Sequence, residues 1–276
     1  MKFIYGNSKH ITNVSKDSII EDLKEHGIVT LRGFIVDVSS FSDFIGNICS
    51  RVTNDPARKS SAENAQLIDA GEMEMGLHLE NGNTPYMPDL QFFFCEKAPK
   101  KLSRTTYCDG YEAFKMLDAK LAECLLNRQI MYTRNLHEER WKKYFSNELQ
   151  REINVLDDVI NELPEDTQII EKDNQVIQYR VRRNIAFKSN LSDKYVLAHC
   201  IAGPSINYEI PNVTWSDGSM ISPIITDSIL SIGEKLTNPI QYIDGDVVIV
   251  DNHRVMHGRE KIVDKDRRIY GGQGYL

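Results

Sequence analysis

The sequence Leu77-His-Leu-Glu80 alternates apolar and polar residues, as expected of a strand with one buried face. Leu90-Gln-Phe-Phe-Phe-Cys95 follows it as a mostly apolar run, and Asp246-Val-Val-Ile-Val250 is another such run near the end of the chain. Short apolar runs of this kind, rich in aromatic and β-branched residues, predict buried strands. The sequence therefore predicts a mainly β protein with a buried sheet.

Amphipathic segments between these strands predict flanking helices. Ser18 and Glu21 match the capping-box pattern at the start of a first helix, and Gly27 supplies a helix stop. Residues 111–127 and 138–161 have helical periodicity, and we expect both helices to cover a sheet. The fold class predicted on this basis is mainly β with flanking helices.

Composition and charge exclude several classes of protein. The chain has 276 residues, of which 41% are hydrophobic and 26% charged, so it is neither disordered nor fibrous. The net charge is −7 and there is no long basic run, which argues against nucleic-acid binding. No apolar stretch approaches the ~20 residues of a membrane span. We therefore expect a small-molecule partner, and the sequence leaves the oligomeric state open.

The cysteines and the even composition bear on compartment and domain organisation. The five cysteines are odd in number, widely spaced and form no C-x-x-C pair, so we expect a reducing, cytoplasmic location. Neither an internal repeat nor a linker-like shift in composition divides the chain. We expect a single domain over residues 1–276 with a helical insertion around 130–165.

Three residues have the spacing of a metal site. His78 and Glu80 project from the same face of a strand, with Cα atoms ~6.6 Å apart. His257 follows the apolar strand 246–250 and is the best candidate for a third ligand. Two imidazoles and one carboxylate on one face of a metal are the ligands of non-haem Fe(II) oxygenases. A zinc hydrolase using the same three residues is an alternative, and His253, four residues before His257, is not taken as a metal ligand.

Several motifs resemble one known family in order and spacing. They are Gly76-Leu-His-Leu-Glu-Asn81, the segments 88–99 and 104–110, Trp215-Ser-Asp-Gly-Ser219, Gly245-Asp-Val-Val-Ile-Val-Asp-Asn252 and His257-Gly-Arg259 with Arg268. Together they are similar to the Fe(II)/2-oxoglutarate-dependent dioxygenases of the TauD/TfdA, clavaminate synthase-like superfamily. The resemblance covers most of the chain, except for a loosely matched region at 130–190.

The resemblance implies a double-stranded β-helix, or jelly-roll, core. It implies that His78, Glu80 and His257 bind Fe(II), and that 2-oxoglutarate and O₂ are co-substrates. Arg268, eleven residues after His257, takes the place of the arginine that binds the distal carboxylate of 2-oxoglutarate. Its neighbour Arg267 is the alternative, which on a strand would point to the opposite face.

The resemblance also implies a threonine contact to 2-oxoglutarate and a substrate class. Thr105, four residues before Asp109, matches the family threonine, with Thr106 as the alternative. Glu80 stands where taurine-type enzymes have aspartate, and many family members that act on free amino acids have glutamate there. We therefore expect hydroxylation of an amino-acid-like metabolite. Desaturation, epoxidation and a non-catalytic metal-binding jelly roll are the alternatives.

Overall fold

The computed structural model describes residues 1–56, 58–172, 175–202 and 209–276. We number helices and strands in chain order. The helices are α1 (Lys16–His26), α2 (Val38–Ile48), α3 (Gly110–Lys115), α4 (Ala119–Asn127), α5 (Glu138–Leu149), α6 (Asp157–Ile160) and α7 (Pro223–Leu236), with a short 3₁₀ turn at Ile11–Asn13. None of the helices in these ranges has the length and apolar character needed to cross a membrane.

Strands supply most of the framework. The first nine are β1 (Lys2–Tyr5), β2 (Ile28–Arg32), β3 (Arg51–Thr53), β4 (Ser60–Ala62), β5 (Ala65–Leu67), β6 (Met75–His78), β7 (Leu90–Lys97), β8 (Thr105–Asp109) and β9 (Ile130–His137). The others are β10 (Thr167–Glu171), β11 (Val176–Arg183), β12 (Ala186–Lys188), β13 (Tyr195–Leu197), β14 (Asn212–Trp215), β15 (Asn238–Pro239), β16 (Asp246–Asp251), β17 (Val255–Arg259) and β18 (Arg268–Tyr275).

Two sheets face each other across the core, as in a jelly roll. The major sheet has the order β1-β2-β16-β7-β18-β5-β4, with β3 also paired to β18, and the minor sheet has the order β15-β8-β17-β6. Phe93, Val248 and Ile269 of the major sheet share one buried cluster with Val255 of the minor sheet. The predicted jelly-roll core is confirmed, and the described strands form facing sheets and not a closed barrel.

Strand β16 shows why its sequence is almost entirely apolar. Val248 and Val250 face the minor sheet, whereas Val247 and Ile249 pack with the residues of α1 and α2 on the other side. A strand covered on both faces has no polar side. The first helix begins at Lys16 after the N-cap Ser15, so the capping box predicted at Ser18 is wrong, but Gly27 ends the helix in the left-handed conformation (φ 71°) as predicted.

A third sheet packs beside the core. Its order is β10-β11-β9-β14, and α5 and α6 cover it through a cluster that contains Trp141, Phe145 and Tyr179. The segment 130–165, predicted to be helical, therefore begins with a strand. The predicted helix 138–161 is interrupted after α5, where Gln150 has a φ of 54°, and the predicted helix 111–127 is divided into α3 and α4.

Candidate metal centre

His78, Glu80 and His257 meet between the two sheets. His257 on β17 pairs directly with His78 on the edge strand β6, and Glu80 lies two residues beyond His78. One ligand atom from each of the three residues can be chosen so that all lie within 4.8 Å of one another. The imidazole centroids are 4.5 Å apart, and His257 Nε2 lies 3.3 Å from Glu80 Oε2. The structure brings together the three residues that the sequence nominated.

The surroundings favour the protonation states that a metal needs. His78 Nδ1 is 2.8 Å from the carbonyl oxygen of Gly76, so the ring donates there and its Nε2 is left for a ligand. Burial and the neighbouring His257 lower the pKa of His78 to about 4. Burial alone would raise the pKa of Glu80, but its hydrogen bond with His257 and the charges of both histidines hold that pKa below its usual range.

Asn252 fixes the backbone that carries Glu80. Its Oδ1 accepts the Glu80 N–H at 2.8 Å, and its Nδ2 donates to the carbonyl oxygens of Glu80 at 2.9 Å and Pro88 at 2.8 Å. Asn252 is fully buried. Sequence reasoning included it in a motif without assigning it a role, because the contact joins distant segments of the chain.

Arg259 and Arg254 brace the chain near the site. The Arg259 guanidinium donates to the carbonyl oxygens of Ala70 (3.1 Å), Gly71 (3.0 Å) and Met73 (2.8 Å). Burial and the charges of Arg267 and Arg58 lower its pKa to about 10. Arg254 likewise forms a two-bond ion pair with Asp109, at 2.8 and 2.7 Å.

The adjacent arginines at the start of β18 have opposite surroundings. The Arg268 side chain is 64% exposed and lies 3.4 Å from Glu96, so the structure does not bring it to the site. Arg267 is buried, and its Nη2 donates to the carbonyl oxygen of Ile68 at 3.1 Å. Burial lowers the pKa of Arg267, and the nearby Tyr242 partly offsets that effect.

Thr105 and Thr106 also have different surroundings, because successive side chains of β8 point to opposite faces of the sheet. Thr105 is buried, and the hydroxyl of Tyr242, itself buried, donates to its Oγ1 at 3.1 Å. Thr106 Oγ1 lies next to Gly258, so close that a Cβ added to this glycine would come within 2.9 Å of it. Because β8 pairs Thr105 with Arg259 and Tyr107 with His257, Thr105 shares the inner face with the metal residues. Tyr242 had no sequence signal.

His253 takes no part in the cluster. Its Nε2 lies 2.9 Å from Asp89 Oδ1, an ion-pair geometry at the end of β16. This contact agrees with the expectation that His253 is not a metal ligand.

The chain is similar to known proteins over nearly its whole length. The model of the "Taurine catabolism dioxygenase TauD, TfdA family" matches residues 5–273. The PvcB protein from Pseudomonas aeruginosa superposes with a TM-score of 0.63 at 14% identity, over 99% of this chain and 85% of that chain. PvcB is described as an Fe, alpha-ketoglutarate dependent oxygenase from an isonitrile synthetic pathway. A taurine dioxygenase from Burkholderia xenovorans gives a TM-score of 0.62 at 11% identity, over 99% and 85%. No curated protein sequence matches.

Proposed function

Because the chain belongs to the TauD, TfdA family of dioxygenases, we propose that it hydroxylates an unactivated C–H bond of a free amino acid or an amino-acid-derived small molecule. Fe(II) and 2-oxoglutarate are the cofactors of this chemistry. The observation that carries the proposal is the cluster of His78, Glu80 and His257, whose ligand atoms all lie within 4.8 Å of one another.

The three residues fit an iron ion in number and in chemistry. Two imidazole nitrogens and one carboxylate oxygen on one face of a six-coordinate metal leave three positions for exogenous ligands. His257 Nε2 faces Glu80, and Nδ1 is the other ring nitrogen. Nδ1 is buried without a hydrogen-bond partner in the described part of the chain. In a metal-bound histidine, the nitrogen that does not bind the metal ordinarily holds the ring by a hydrogen bond to a neighbouring group or a water molecule. The donor set has one negative charge, which partly neutralises a divalent cation.

We assign the distal carboxylate of 2-oxoglutarate to Arg267, in place of Arg268. A buried guanidinium whose hydrogen bond is to a carbonyl oxygen is costly unless an anion pairs with it. Within the described ranges no carboxylate forms an ion pair with Arg267, whereas Arg268 already faces Glu96 in solvent. A dicarboxylate reaching from the metal residues would supply the missing charge through two parallel hydrogen bonds.

Thr105 and Tyr242 would complete this subsite. The Tyr242 hydroxyl donates to Thr105, so the Thr105 hydroxyl proton is free to donate to the same carboxylate. Tyr242 is also close enough to Arg267 for the guanidinium charge to lower the pKa of its phenol, which burial raises. These three buried side chains would orient the co-substrate and exclude water from it.

The bound cofactors would supply the chemistry, and the side chains and strands of the protein would supply the positioning. Iron bound with 2-oxoglutarate and O₂ supplies the oxidant that replaces a substrate hydrogen with a hydroxyl group. The chain holds the reacting groups in register through Asn252, which fixes Glu80, and through β17, which presents His257 opposite His78. Phe93 packs edge-to-face against the His257 ring, with centroids 5.3 Å apart, and shields that side from water.

The substrate class rests on Glu80. Glutamate at this position is similar to the pattern of clavaminate synthase-like members that act on free amino acids, whereas taurine-type members have aspartate. A glutamate also fills the position that a halide would need, so halogenation is not proposed.

Succinate release tests this proposal. The Fe(II)-loaded protein is incubated with 2-oxoglutarate and air, with each free amino acid or a simple derivative added separately, and both succinate and the substrate mass are measured. We expect at least one amino acid to stimulate succinate release and to gain one oxygen atom. Loss of two hydrogens instead would identify a desaturase. No stimulation across amino acids and their derivatives would contradict the proposed substrate class.

A further inference from the structure

A second cavity lies where the third sheet meets the core. Its volume is about 510 Å³, within the usual range for small-molecule pockets. Loop 82–87, strand β9 and the segments 182–190 and 198–200 contribute to its wall. None of the metal residues, Thr105 or Arg267 lines it. The cavity therefore contains none of the side chains assigned to iron or to 2-oxoglutarate.

His199 presents an unused donor at this cavity. The residue is only 3% exposed, and its Nδ1 accepts the backbone N–H of Ile201 at 3.3 Å. The ring proton must then be on Nε2, which has no hydrogen-bond partner in the described part of the chain. Burial lowers the pKa of His199 to about 4, so the ring is a neutral N–H donor near pH 7. A buried donor without an acceptor is costly, and a ligand acceptor would remove that cost.

Two more donors line the same cavity. The hydroxyl of Tyr132 accepts the Cys200 N–H at 2.9 Å, and its own proton has no acceptor among the described contacts. Arg183 donates through Nη2 to the carbonyl oxygens of Thr84 (2.8 Å) and Pro85 (3.3 Å), whereas its buried Nε has no described partner. The buried polar groups of this lining that lack a described acceptor, namely His199 Nε2, Arg183 Nε and the Tyr132 hydroxyl proton, are donors, which favours a ligand with acceptor atoms.

The charged and apolar side chains that line the cavity restrict the chemical class of the ligand further. Three cationic side chains line the cavity (Arg182, Arg183 and Lys188), together with the carboxylate of Asp166. Asp166 pairs with Arg183 and Asp193 pairs with Lys188, so among the described residues Arg182 is the cation of this lining without a carboxylate partner. Apolar side chains make up much of the remaining wall, among them Met87, Ile185 and Phe187. We propose that this cavity is a second ligand site, which binds a small organic carboxylate with an apolar body through His199, Tyr132 and Arg183.

Calorimetric titration of the holoprotein tests this site. The protein is saturated with Fe(II) and 2-oxoglutarate without oxygen, so that the metal centre is already occupied, and titrated with 3-phenylpropanoate. The neutral 3-phenylpropanamide and the cationic 3-phenylpropylamine are matched probes of the same shape. We expect the carboxylate to bind at least about tenfold more tightly than the amide, since hydrogen bonds to a charged acceptor are stronger than neutral ones.

Two substitutions assign the binding to this cavity. His199→Leu keeps the side-chain volume and removes the donor, and Tyr132→Phe removes only the hydroxyl. We expect each to weaken 3-phenylpropanoate binding about tenfold, with folding checked by thermal melting. If His199→Leu does not fold, Tyr132→Phe decides alone. Arg268→Ala removes an exposed cationic side chain that does not line the cavity; it is the matched control under the same conditions and should leave the affinity unchanged.

Several results would contradict the proposal that this cavity is a ligand site. They are equal affinity for the three probes, no binding of 3-phenylpropanoate, full binding in both donor variants, and loss of binding in Arg268→Ala. The last would place the probe outside this cavity. Because the metal centre plays no part in the interactions, the outcome is independent of whether the chain oxidises an amino acid.

Discussion

Arg267 and Arg268 are neighbours in the chain, yet the first is buried between the sheets and the second is 64% exposed beside Glu96. Arg267 lies near Tyr242 and Cys95, which share a buried cluster between the sheets with Ile269, whereas Arg268 points to solvent. This relationship decides which guanidinium can meet an anion at the metal centre.

Arg267→Ala should impair 2-oxoglutarate binding. Removing one partner of a buried, hydrogen-bonded charge pair costs about 2–5 kcal/mol, which predicts at least about a 30-fold rise in the 2-oxoglutarate Kd. Titration of the Fe(II)-loaded protein measures it. Arg268→Ala is the matched control and should change the Kd by less than about twofold. The opposite order of effects would return the role to Arg268.

Glu80→Ala and His257→Ala should each abolish metal binding and succinate formation. Loss of a direct ligand should exceed the 10–100-fold effect typical of an outer hydrogen-bond partner, so we expect more than about a 100-fold loss of Fe(II) affinity. Metal analysis after dialysis reports it. His137→Ala, at an exposed position, is the control. Retained turnover in either ligand variant would remove the metal assignment.

Asn252→Leu should destabilise the fold and weaken the metal site together. The change leaves the Glu80 N–H and the carbonyl oxygens of Glu80 and Pro88 without their partner. We expect a loss of about 2–4 kcal/mol in the free energy of unfolding, measured by denaturant titration, and a weaker Fe(II) affinity. Asn238→Ala, at an exposed site, should change stability by less than about 0.5 kcal/mol. Unchanged metal affinity in a folded Asn252 variant would show that Asn252 only supports the fold.

Asp251 should make stability depend on pH. Burial raises its pKa from 3.8 to about 6, and its Oδ2 has no described hydrogen-bond partner. Between those pH values the folded protein keeps a proton that the unfolded chain releases, so this residue lowers stability as the pH rises from about 4 to about 6. Asp251→Asn should therefore be the more stable protein above pH 6, by up to about 3 kcal/mol. Equal stability of the two proteins at pH 4 and at pH 7 would refute this.

The parts of the site that the sequence predicts are those set by local periodicity. The alternation around His78 and Glu80 placed both on one face, and His257 followed from the apolar strand before it. Asn252 and Tyr242 act through contacts with residues far away in the chain, which no periodicity reveals. Arg268 was chosen by its distance from His257 along the chain, whereas Arg267 is buried near Tyr242 and Cys95, which lie far from it in the sequence.

Elements whose sequence signal is local were predicted correctly, and elements that depend on distant partners or on an ambiguous cap were not. Strand β16 was recognised because both of its faces are buried, and Gly27 because a helix stop needs a left-handed residue. The start of α1 was misplaced because Ser15 and Ser18 both fit a cap. The strand at 130–137 was missed because its sheet is completed by β11 and β14, which are distant in sequence.

The most direct test of the account is an anaerobic spectroscopic titration of the Fe(II)-loaded protein with 2-oxoglutarate. We predict that a weak visible metal-to-ligand charge-transfer band develops and saturates, that it is absent in Glu80→Ala and His257→Ala, and that it requires much more 2-oxoglutarate in Arg267→Ala. A folded, iron-loaded protein that gives no band would contradict the proposal that His78, Glu80 and His257 hold an iron open to 2-oxoglutarate.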